Sequence, residues 1–130
     1  MSKRAKELIQ NLCGDDVEFL RFHDLKGKPY YAMNVLRVVD VLDIESCDGA
    51  RDDSGKLFYA NKFSFKKSAK NLPPMFKEPV FLTTIFVTEP FANMAIENEL
   101  TGLALSDPSI DELSLIVQSK DLNVVEGIIT

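Results

Sequence analysis

The stretch that most constrains the fold covers residues 30–44 and reads YYAMNVLRVVDVLDI. Its polar residues recur at every third position from Asn34 to Asp43, so on a helix they would spiral around the axis instead of sharing a face. Valine, whose branched side chain favours extended backbone, is abundant here. The stretch therefore predicts extended structure, broken or bulged near Asp40. The residues that would share one face of such a strand are Leu36, Val38, Leu42 and Ile44.

A helix and a hairpin are predicted before this stretch. Ser2 can cap a helix whose apolar residues keep helical spacing as far as Leu12, and Gly14 would end it. The segment VEFLRFH alternates and is rich in aromatic residues, which is typical of a strand. The turn residues of DLKGKP follow it. Residues 17–36 are therefore predicted to form a β-hairpin.

The second half of the chain predicts a mixture of strands, loops and helices. Residues 45–56 have the composition of an acidic loop, and residues 56–67 that of a strand. Residues 68–79 predict an irregular connection, because Pro73 and Pro74 fit neither a helix interior nor a central strand. Farther on, the patterns predict a strand at residues 83–87, a helix at 88–99 capped by Thr88, a strand at 100–106, a last helix at 106–119, and a strand or loose tail at 122–130.

These elements together predict an α+β fold with a mainly antiparallel sheet and two or three helices packed against it. A chain of 130 residues has the length of one domain, so residues 1–130 are expected to form a single unit. Residues 107–130 would be an acidic C-terminal extension of that unit.

Charge is distributed unevenly along the chain, whose net charge is −5. Residues 79–130 contain eight acidic residues and one basic residue, Lys120. Between Asp53 and Glu78, by contrast, six lysines occur without an acid. A polarised charge distribution of this kind can steer a charged partner and accelerate the encounter with it.

Several classes of protein are disfavoured by the rarity of reactive residues. Cys13, Cys47 and the single histidine, His23, are not clustered, which argues against a zinc site and a cysteine or serine triad. Phosphate-binding glycine motifs are missing as well. We therefore expect no cofactor, metal or catalytic residue. The basic start lacks an apolar signal region, and the apolar stretch at residues 79–87 is too short for a bilayer, so we expect a cytoplasmic protein without membrane contact.

Two functions remain open when the residues alone are considered. Asp40, Asp43 and Glu45 could supply oxygen ligands in a small metal-dependent nuclease or hydrolase. The run from Lys56 to Lys77 has the composition of a nucleic-acid-binding module, although an acidic chain makes nucleic acid an unlikely partner. The aromatic residues within this run are expected to face the core, with the lysines on the solvated side. They are Phe58, Tyr59, Phe63 and Phe65.

Two segments resemble a known protein family. The first, YYAMNVLRVVDVLDIE, is similar to a motif of a myxobacterial-type immunity protein family, formerly a domain of unknown function, that is encoded beside bacterial polymorphic toxins. The second, IFVTEPFANMAIENELTGLAL, is similar to the pattern that closes the same family. The matching positions are Tyr30, Tyr31, Asn34, Val35, Leu36, Val38, Val39, Asp40, Leu42 and Asp43, and then Ile85, Phe86, Val87, Thr88, Phe91, Leu100, Thr101, Gly102 and Leu103. The resemblance covers about residues 1–106.

The resemblance implies a non-enzymatic protein that binds and occludes a cognate toxin. Asp40 and Asp43 would then be structural or in contact with the partner. A toxin that acts on nucleic acid is expected to be basic, so exposed acids in loops and at helix starts are the predicted docking residues. They are Asp48, Asp52, Asp53, Asp107, Asp111 and Glu112. A homo-oligomer is compatible with the sequence.

Overall fold

The computed structural model describes residues 1–103 and 105. Within them, two α-helices and six strands follow one another, and the strands pair as three antiparallel two-stranded sheets. The α+β prediction with antiparallel strands is thereby confirmed. The helices are α1 (Lys3–Cys13) and α2 (Glu89–Glu97), and the strands are β1 (Val17–His23), β2 (Pro29–Val35), β3 (Asp48–Arg51), β4 (Leu57–Lys62), β5 (Met75–Glu78) and β6 (Phe81–Val87). No helix in this described part is long and apolar enough to cross a membrane.

Helix α1 begins and ends where the sequence predicts. The Ser2 side chain accepts a hydrogen bond from the Ala5 backbone N–H at 3.2 Å, which satisfies a donor that has no partner within the helix. Gly14 follows the helix with φ at 58°, a left-handed conformation that glycine adopts without a steric penalty. The helix buries Ile9 and Cys13 against the first hairpin.

The first hairpin, β1–β2, is regular and confirms the predicted pairing. Seven residue pairs align without a bulge, starting with Val17 opposite Val35. Because side chains alternate between the faces of a strand, the hairpin has two different surfaces. Its inner face buries Val17 and Val35, whereas its outer face leaves Leu20, Phe22 and Tyr30 about half exposed.

The segment after β2 is extended, and it is broken near Asp40 as predicted. Val38 forms an isolated parallel bridge with Lys77 of β5, and Leu42 forms an isolated antiparallel bridge with Phe65. The predicted common face does not form, because the two bridges lead to different parts of the chain: Val38 is about half exposed and Leu42 is buried. The segment thus contacts β5 at one bridge and the chain around Phe65 at the other, and it does not form a strand of its own.

Two strands lie where the sequence predicted irregular structure. Strand β3 occupies part of the predicted acidic loop and pairs with β4. Strand β5 begins directly after Pro74 and pairs with β6. A proline at the start of a strand keeps its carbonyl as an acceptor, and the Thr88 backbone N–H donates to the Pro74 carbonyl at 3.0 Å. Both predictions of a loop were therefore wrong in part.

Helix α2 confirms the predicted helix, but its capping differs from the prediction. The Thr88 hydroxyl donates to the Pro73 carbonyl at 3.2 Å and makes no capping bond with the helix. The helix buries Phe91 and Ala95. Residues 100–103, predicted as part of a strand, are not in one. The predicted helix at 106–119 and the predicted ending at 122–130 lie outside the described residues.

The buried side chains form two clusters with β5 between them. The first core joins α1, the inner face of β1–β2 and α2, and the second core joins β4, β6 and the segment around Leu42. Met75 and Phe76 are neighbours on β5, and they point to opposite faces, one into each core. Glu78 is the one buried charged residue among the described ones, and its carboxylate accepts from the Val80 backbone N–H at 2.6 Å.

Candidate partner-binding surface

The β3–β4 hairpin carries the three predicted docking residues that the structure describes. Asp48 begins β3, and Asp52 and Asp53 lie in the turn between the strands. All three side chains are exposed. The other three predicted docking residues, Asp107, Asp111 and Glu112, lie outside the described part of the chain. The hairpin is therefore the surface on which the docking prediction can be given a geometry.

Asp52 organises the turn of this hairpin. Its Oδ1 accepts hydrogen bonds from the Ser54 hydroxyl at 2.6 Å and from the backbone N–H groups of Ser54 and Lys56, both at 2.9 Å. These bonds favour the charged carboxylate, with the Ser54 hydroxyl contributing most, and so they lower the pKa of Asp52 below its usual value of 3.8. Asp52 therefore has a structural role in addition to any role in docking.

A second turn with the same pattern of hydrogen bonds closes the β1–β2 hairpin. Asp24 Oδ1 accepts from the backbone N–H groups of Lys26 and Lys28, both at 2.8 Å. In both turns the glycine has a positive φ, 78° at Gly27 and 87° at Gly55. The two sequences, DLKGK and DDSGK, share the pattern D-x-x-G-K. This repeat is a signal in the sequence that residues 52–56 form a hairpin turn, and the prediction of an acidic loop did not use it.

Arg51 fixes the base of the β3–β4 hairpin. Its guanidinium donates to the backbone carbonyls of Ile44 at 2.8 Å, of Cys47 at 3.2 Å and of Gly55 at 3.2 Å. These carbonyls belong to the turn before β3 and to the turn after it, so one side chain joins both ends of the strand. The guanidinium donors of Arg51 are thus used on backbone carbonyls, and their role is to hold the hairpin.

Two bulges shape the strand that carries the exposed aromatic residues. The register shifts twice, so that Phe58 and Asn61 have no residue directly opposite them on β3. A bulge redirects side chains, and here both Phe58 and its neighbour Tyr59 are exposed, by 62% and 50%. Phe63 and Phe65 pack against the second core instead. The prediction that all four aromatic residues face the core is therefore wrong for Phe58 and Tyr59.

Close approach of the two strands depends on Gly49. A Cβ atom at this position would lie 1.9 Å from the Tyr59 carbonyl oxygen and 2.8 Å from the Ala60 Cα atom. Both distances are far below van der Waals contact with backbone atoms that cannot easily yield. The glycine is thus required by the bulged pairing that presents the exposed aromatic residues.

Two lysines of the central run lie next to acidic residues. Lys62 lies opposite Asp48 in the register of the hairpin. Lys66 donates to the Asp40 carboxylate at 3.0 Å. Lys77 lies on β5, between the bridged segment and β6. The acids beside Lys62 and Lys66 reduce the positive field of this run and so weaken the case for nucleic acid as a partner.

The three carboxylates considered as metal ligands do not converge. Asp40 pairs with Lys66, and Asp43 accepts from the Ser46 hydroxyl at 2.8 Å. Glu45 lies in the short turn that follows, with its side chain exposed. Among residues 1–103 and 105, no group of three His, Cys, Asp or Glu side chains is placed to hold a metal ion. Asp40 and Asp43 therefore act within the fold, at the break and at the turn of the connecting segment.

The thiols and the imidazole are also far apart in the fold. Cys13 is buried in the first core and Cys47 in the second, whereas His23 is exposed at the end of β1 beside the turn. Burial, together with the nearby Asp16 carboxylate, raises the pKa of the Cys13 thiol to about 11. A thiol with such a pKa stays protonated at neutral pH and is a poor nucleophile.

Comparison with known families gives a match over most of the chain. The model described as an immunity protein family, Imm11, matches residues 1–109, which include every helix and strand described above. Comparisons with curated proteins and with solved structures gave no match.

Proposed function

The chain belongs to the immunity protein family Imm11, and from this premise we propose that it is a cytoplasmic immunity protein that binds and occludes a cognate toxin of a bacterial polymorphic toxin system. The observation that carries the proposal is the family match over residues 1–109. Immunity proteins of this kind act by binding, so we propose that the chain has no catalytic activity of its own.

The β3–β4 hairpin supports the proposal as a docking surface. It combines exposed acids, Asp48 and Asp53, with the exposed aromatic residues Phe58 and Tyr59. Binding energy at protein interfaces is concentrated in a few large aromatic or charged anchors, while surrounding charges mainly steer the encounter. We therefore propose that Phe58 is an anchor and that the acids attract a basic toxin.

The hairpin is also held firmly enough to present these residues in one arrangement. Asp52 fixes the turn, Arg51 fixes the base, and Leu57 is 99% buried in the second core. A preorganised surface loses less conformational entropy on binding than a mobile loop does. Asp107, Asp111 and Glu112 remain predicted docking residues and would extend the acidic surface beyond the hairpin.

The direct test uses the toxin domain encoded beside the gene for this chain. The full chain is expected to form a stoichiometric complex with that domain and to abolish its activity on its substrate in vitro. Phe58→Ala should weaken the complex by about 2 kcal/mol, the usual scale of an anchor. Ile96→Ala is the matched control, because Ile96 is 65% exposed but lies on α2.

Three results would contradict the proposal in different ways. Failure of the two proteins to bind would overturn the immunity function with this toxin. A stable complex in which the toxin stays fully active would retain binding but overturn occlusion. Equal affinities of the Phe58 and Ile96 variants would move the interface away from the hairpin.

A further inference from the structure

The β1–β2 hairpin carries exposed apolar side chains as far as its tip. Leu25, in the turn, is fully exposed, and Leu20, Phe22 and Tyr30 on the outer face are about half exposed. The Phe22 and Tyr30 rings are stacked with their centroids 5.5 Å apart, so they form one patch next to the turn. Clustered apolar surface of this kind marks a site of contact with a partner or a membrane.

The turn that carries Leu25 is held by its own hydrogen bonds. Asp24 Oδ1 accepts from the backbone N–H groups of Lys26 and Lys28, and the Gly27 N–H donates to the Asp24 carbonyl at 3.0 Å. Leu25 lies inside this bonded turn. The fold itself therefore presents the leucine side chain to solvent.

Basic residues surround the apolar tip. Residues 19–31 contain three of them, Arg21, Lys26 and Lys28, against one acid, Asp24. All three basic residues are exposed, and within the described part of the chain none of them forms an ion pair. The Asp24 carboxylate accepts from the backbone of its own turn. The tip therefore combines net positive charge with exposed apolar surface.

Helix α1 adds positive charge to the same end of the hairpin. The Tyr31 backbone N–H donates to the Met1 carbonyl at 2.9 Å, which places the start of α1 beside β2. Lys6 Nζ lies 5.4 Å from the centroid of the Tyr31 ring. Lys3 adds less, because it lies 3.9 Å from the Glu7 carboxylate.

The acids at the other end of the hairpin are too distant to cancel this charge. Asp15 and Asp16 precede β1, and Glu18 is its second residue. The seven residues of β1 span about 23 Å at 3.3 Å per residue. Charges in water are screened over about 8 Å at physiological ionic strength. A negatively charged surface that approaches the tip therefore encounters mainly the basic residues.

We propose that the tip of the β1–β2 hairpin binds the surface of an anionic lipid bilayer and inserts Leu25 between the headgroups. Such a bilayer is negative at its surface and apolar beneath, which matches cations arranged around an apolar tip. Tyrosine is favoured at the boundary between membrane and water, where Tyr30 would lie. The stems of Lys26 and Lys28 are long enough to keep their ammonium groups at the lipid phosphates.

Binding to a bilayer surface is compatible with the cytoplasmic location proposed above, because the cytoplasmic leaflet of cell membranes is anionic. The expectation of no membrane contact rested on the lack of a long apolar stretch, and binding at the surface requires none. Such binding does not depend on the immunity function. Its test contains no toxin, so its failure would not bear on the toxin complex.

Co-sedimentation of the full chain with lipid vesicles measures this binding. One set of vesicles contains phosphatidylglycerol and phosphatidylcholine in equal parts, and the other contains phosphatidylcholine alone. Leu25→Ser removes the apolar tip. Ile96→Ser is its matched control, because Ile96 is 65% exposed and lies on α2.

A second pair of variants tests the charges. Lys26→Gln with Lys28→Gln removes two positive charges at the tip and keeps the backbone N–H groups that Asp24 binds. Lys67→Gln with Lys70→Gln makes the same change of charge at two other exposed positions. Circular dichroism checks that each variant folds.

The parent chain should bind the anionic vesicles on the order of 100-fold more tightly than the neutral ones, since three basic residues surround the tip. Leu25→Ser should weaken binding to the anionic vesicles about tenfold. The Lys26 and Lys28 double variant should weaken it about 30-fold. Both controls should stay close to the parent chain.

Three results would overturn the proposal. Equal binding of the parent chain to both sets of vesicles, or to neither, would exclude an anionic bilayer as the partner. Equal binding of the Leu25 and Ile96 variants would show that the tip does not insert. A dimer of the vesicle-free chain that Leu25→Ser dissociates, measured by sedimentation equilibrium, would identify a second copy of the chain as the partner of the tip.

Discussion

Gly49→Ala is expected to be the most damaging small substitution on the β3–β4 hairpin. The added methyl group would lie 1.9 Å from the Tyr59 carbonyl oxygen, so the strands must separate by more than 1 Å to reach ordinary contact. Overpacking against groups that cannot yield costs about 1–3 kcal/mol. The φ of Gly49 is not in the left-handed region, so the cost is steric.

An upper limit to the destabilisation follows if the protein relieves the clash by detaching the β3–β4 hairpin from the second core. Leu57 is the residue by which β4 enters the second core, and it is 1% exposed. Exposing one leucine costs about 1.5–3 kcal/mol. The loss of a glycine also restricts the unfolded chain, which offsets about 0.4–1 kcal/mol. We therefore expect Gly49→Ala to destabilise the protein by about 2 kcal/mol.

Urea unfolding followed by circular dichroism measures this loss, since the chain has no tryptophan. With an m value of about 2 kcal/mol/M, the midpoint should fall by about 1 M. Gly55→Ala is the matched control on the same hairpin, because it has a φ of 87° but open space around the position. Its cost should be about 1 kcal/mol, from backbone strain alone. A smaller shift for Gly49→Ala than for Gly55→Ala would refute the steric reasoning.

Three further predictions concern single side chains. The pKa of Asp52 is lowered by folding, so its charged carboxylate stabilises the folded protein above the usual pKa of 3.8. The stability advantage of the parent chain over Asp52→Asn should therefore vanish as the pH falls through the lowered pKa. A stability difference that does not change with pH in urea titrations would contradict this. Phe76→Ala should cost about 3–5 kcal/mol in unfolding free energy, whereas Phe58→Ala should cost less than about 0.5 kcal/mol, and similar losses would contradict the assigned burial. Calorimetric titration with Mg²⁺, Mn²⁺ and Zn²⁺ should show no stoichiometric site, and a site abolished by Asp40→Asn would revive the enzyme hypothesis.

The elements predicted correctly are those with strong local signals. The Ser2 cap and Gly14 stop define α1, and the alternation of residues 17–23 followed by a turn defines the first hairpin. Helix α2 follows from its proline and its apolar spacing. Such signals lie within a few residues of the element that they specify, so a sequence alone is enough to interpret them.

The elements predicted incorrectly depend on distant contacts. Strand β3 exists because Arg51 and the pairing with β4 hold it, and an acidic composition gave no indication of either. Strand β5 follows two prolines, whose carbonyls are used by Thr88 fifteen residues and fourteen residues later. Pairing between separate segments is a tertiary effect that overrides local composition.

The candidate docking surface was predictable in its charges and not in its aromatic residues. Acids in a turn are exposed in almost any fold, so the exposure of Asp53 followed from composition. The exposure of Phe58 results from a bulge, which has no reliable signature in a single sequence.

The most direct test of the proposed docking surface is the association rate of the full chain with its cognate toxin domain across a salt series. Asp48→Lys with Asp53→Lys reverses two exposed acids without disturbing the turn bonds of Asp52, and Asp15→Lys with Glu97→Lys makes the same change of charge elsewhere on the surface. We predict that the hairpin variant associates about tenfold more slowly at low salt, that the difference shrinks as salt increases, and that the control stays close to the parent chain. Equal association rates and salt dependences for the two variants would contradict the claim that the acidic hairpin meets the toxin.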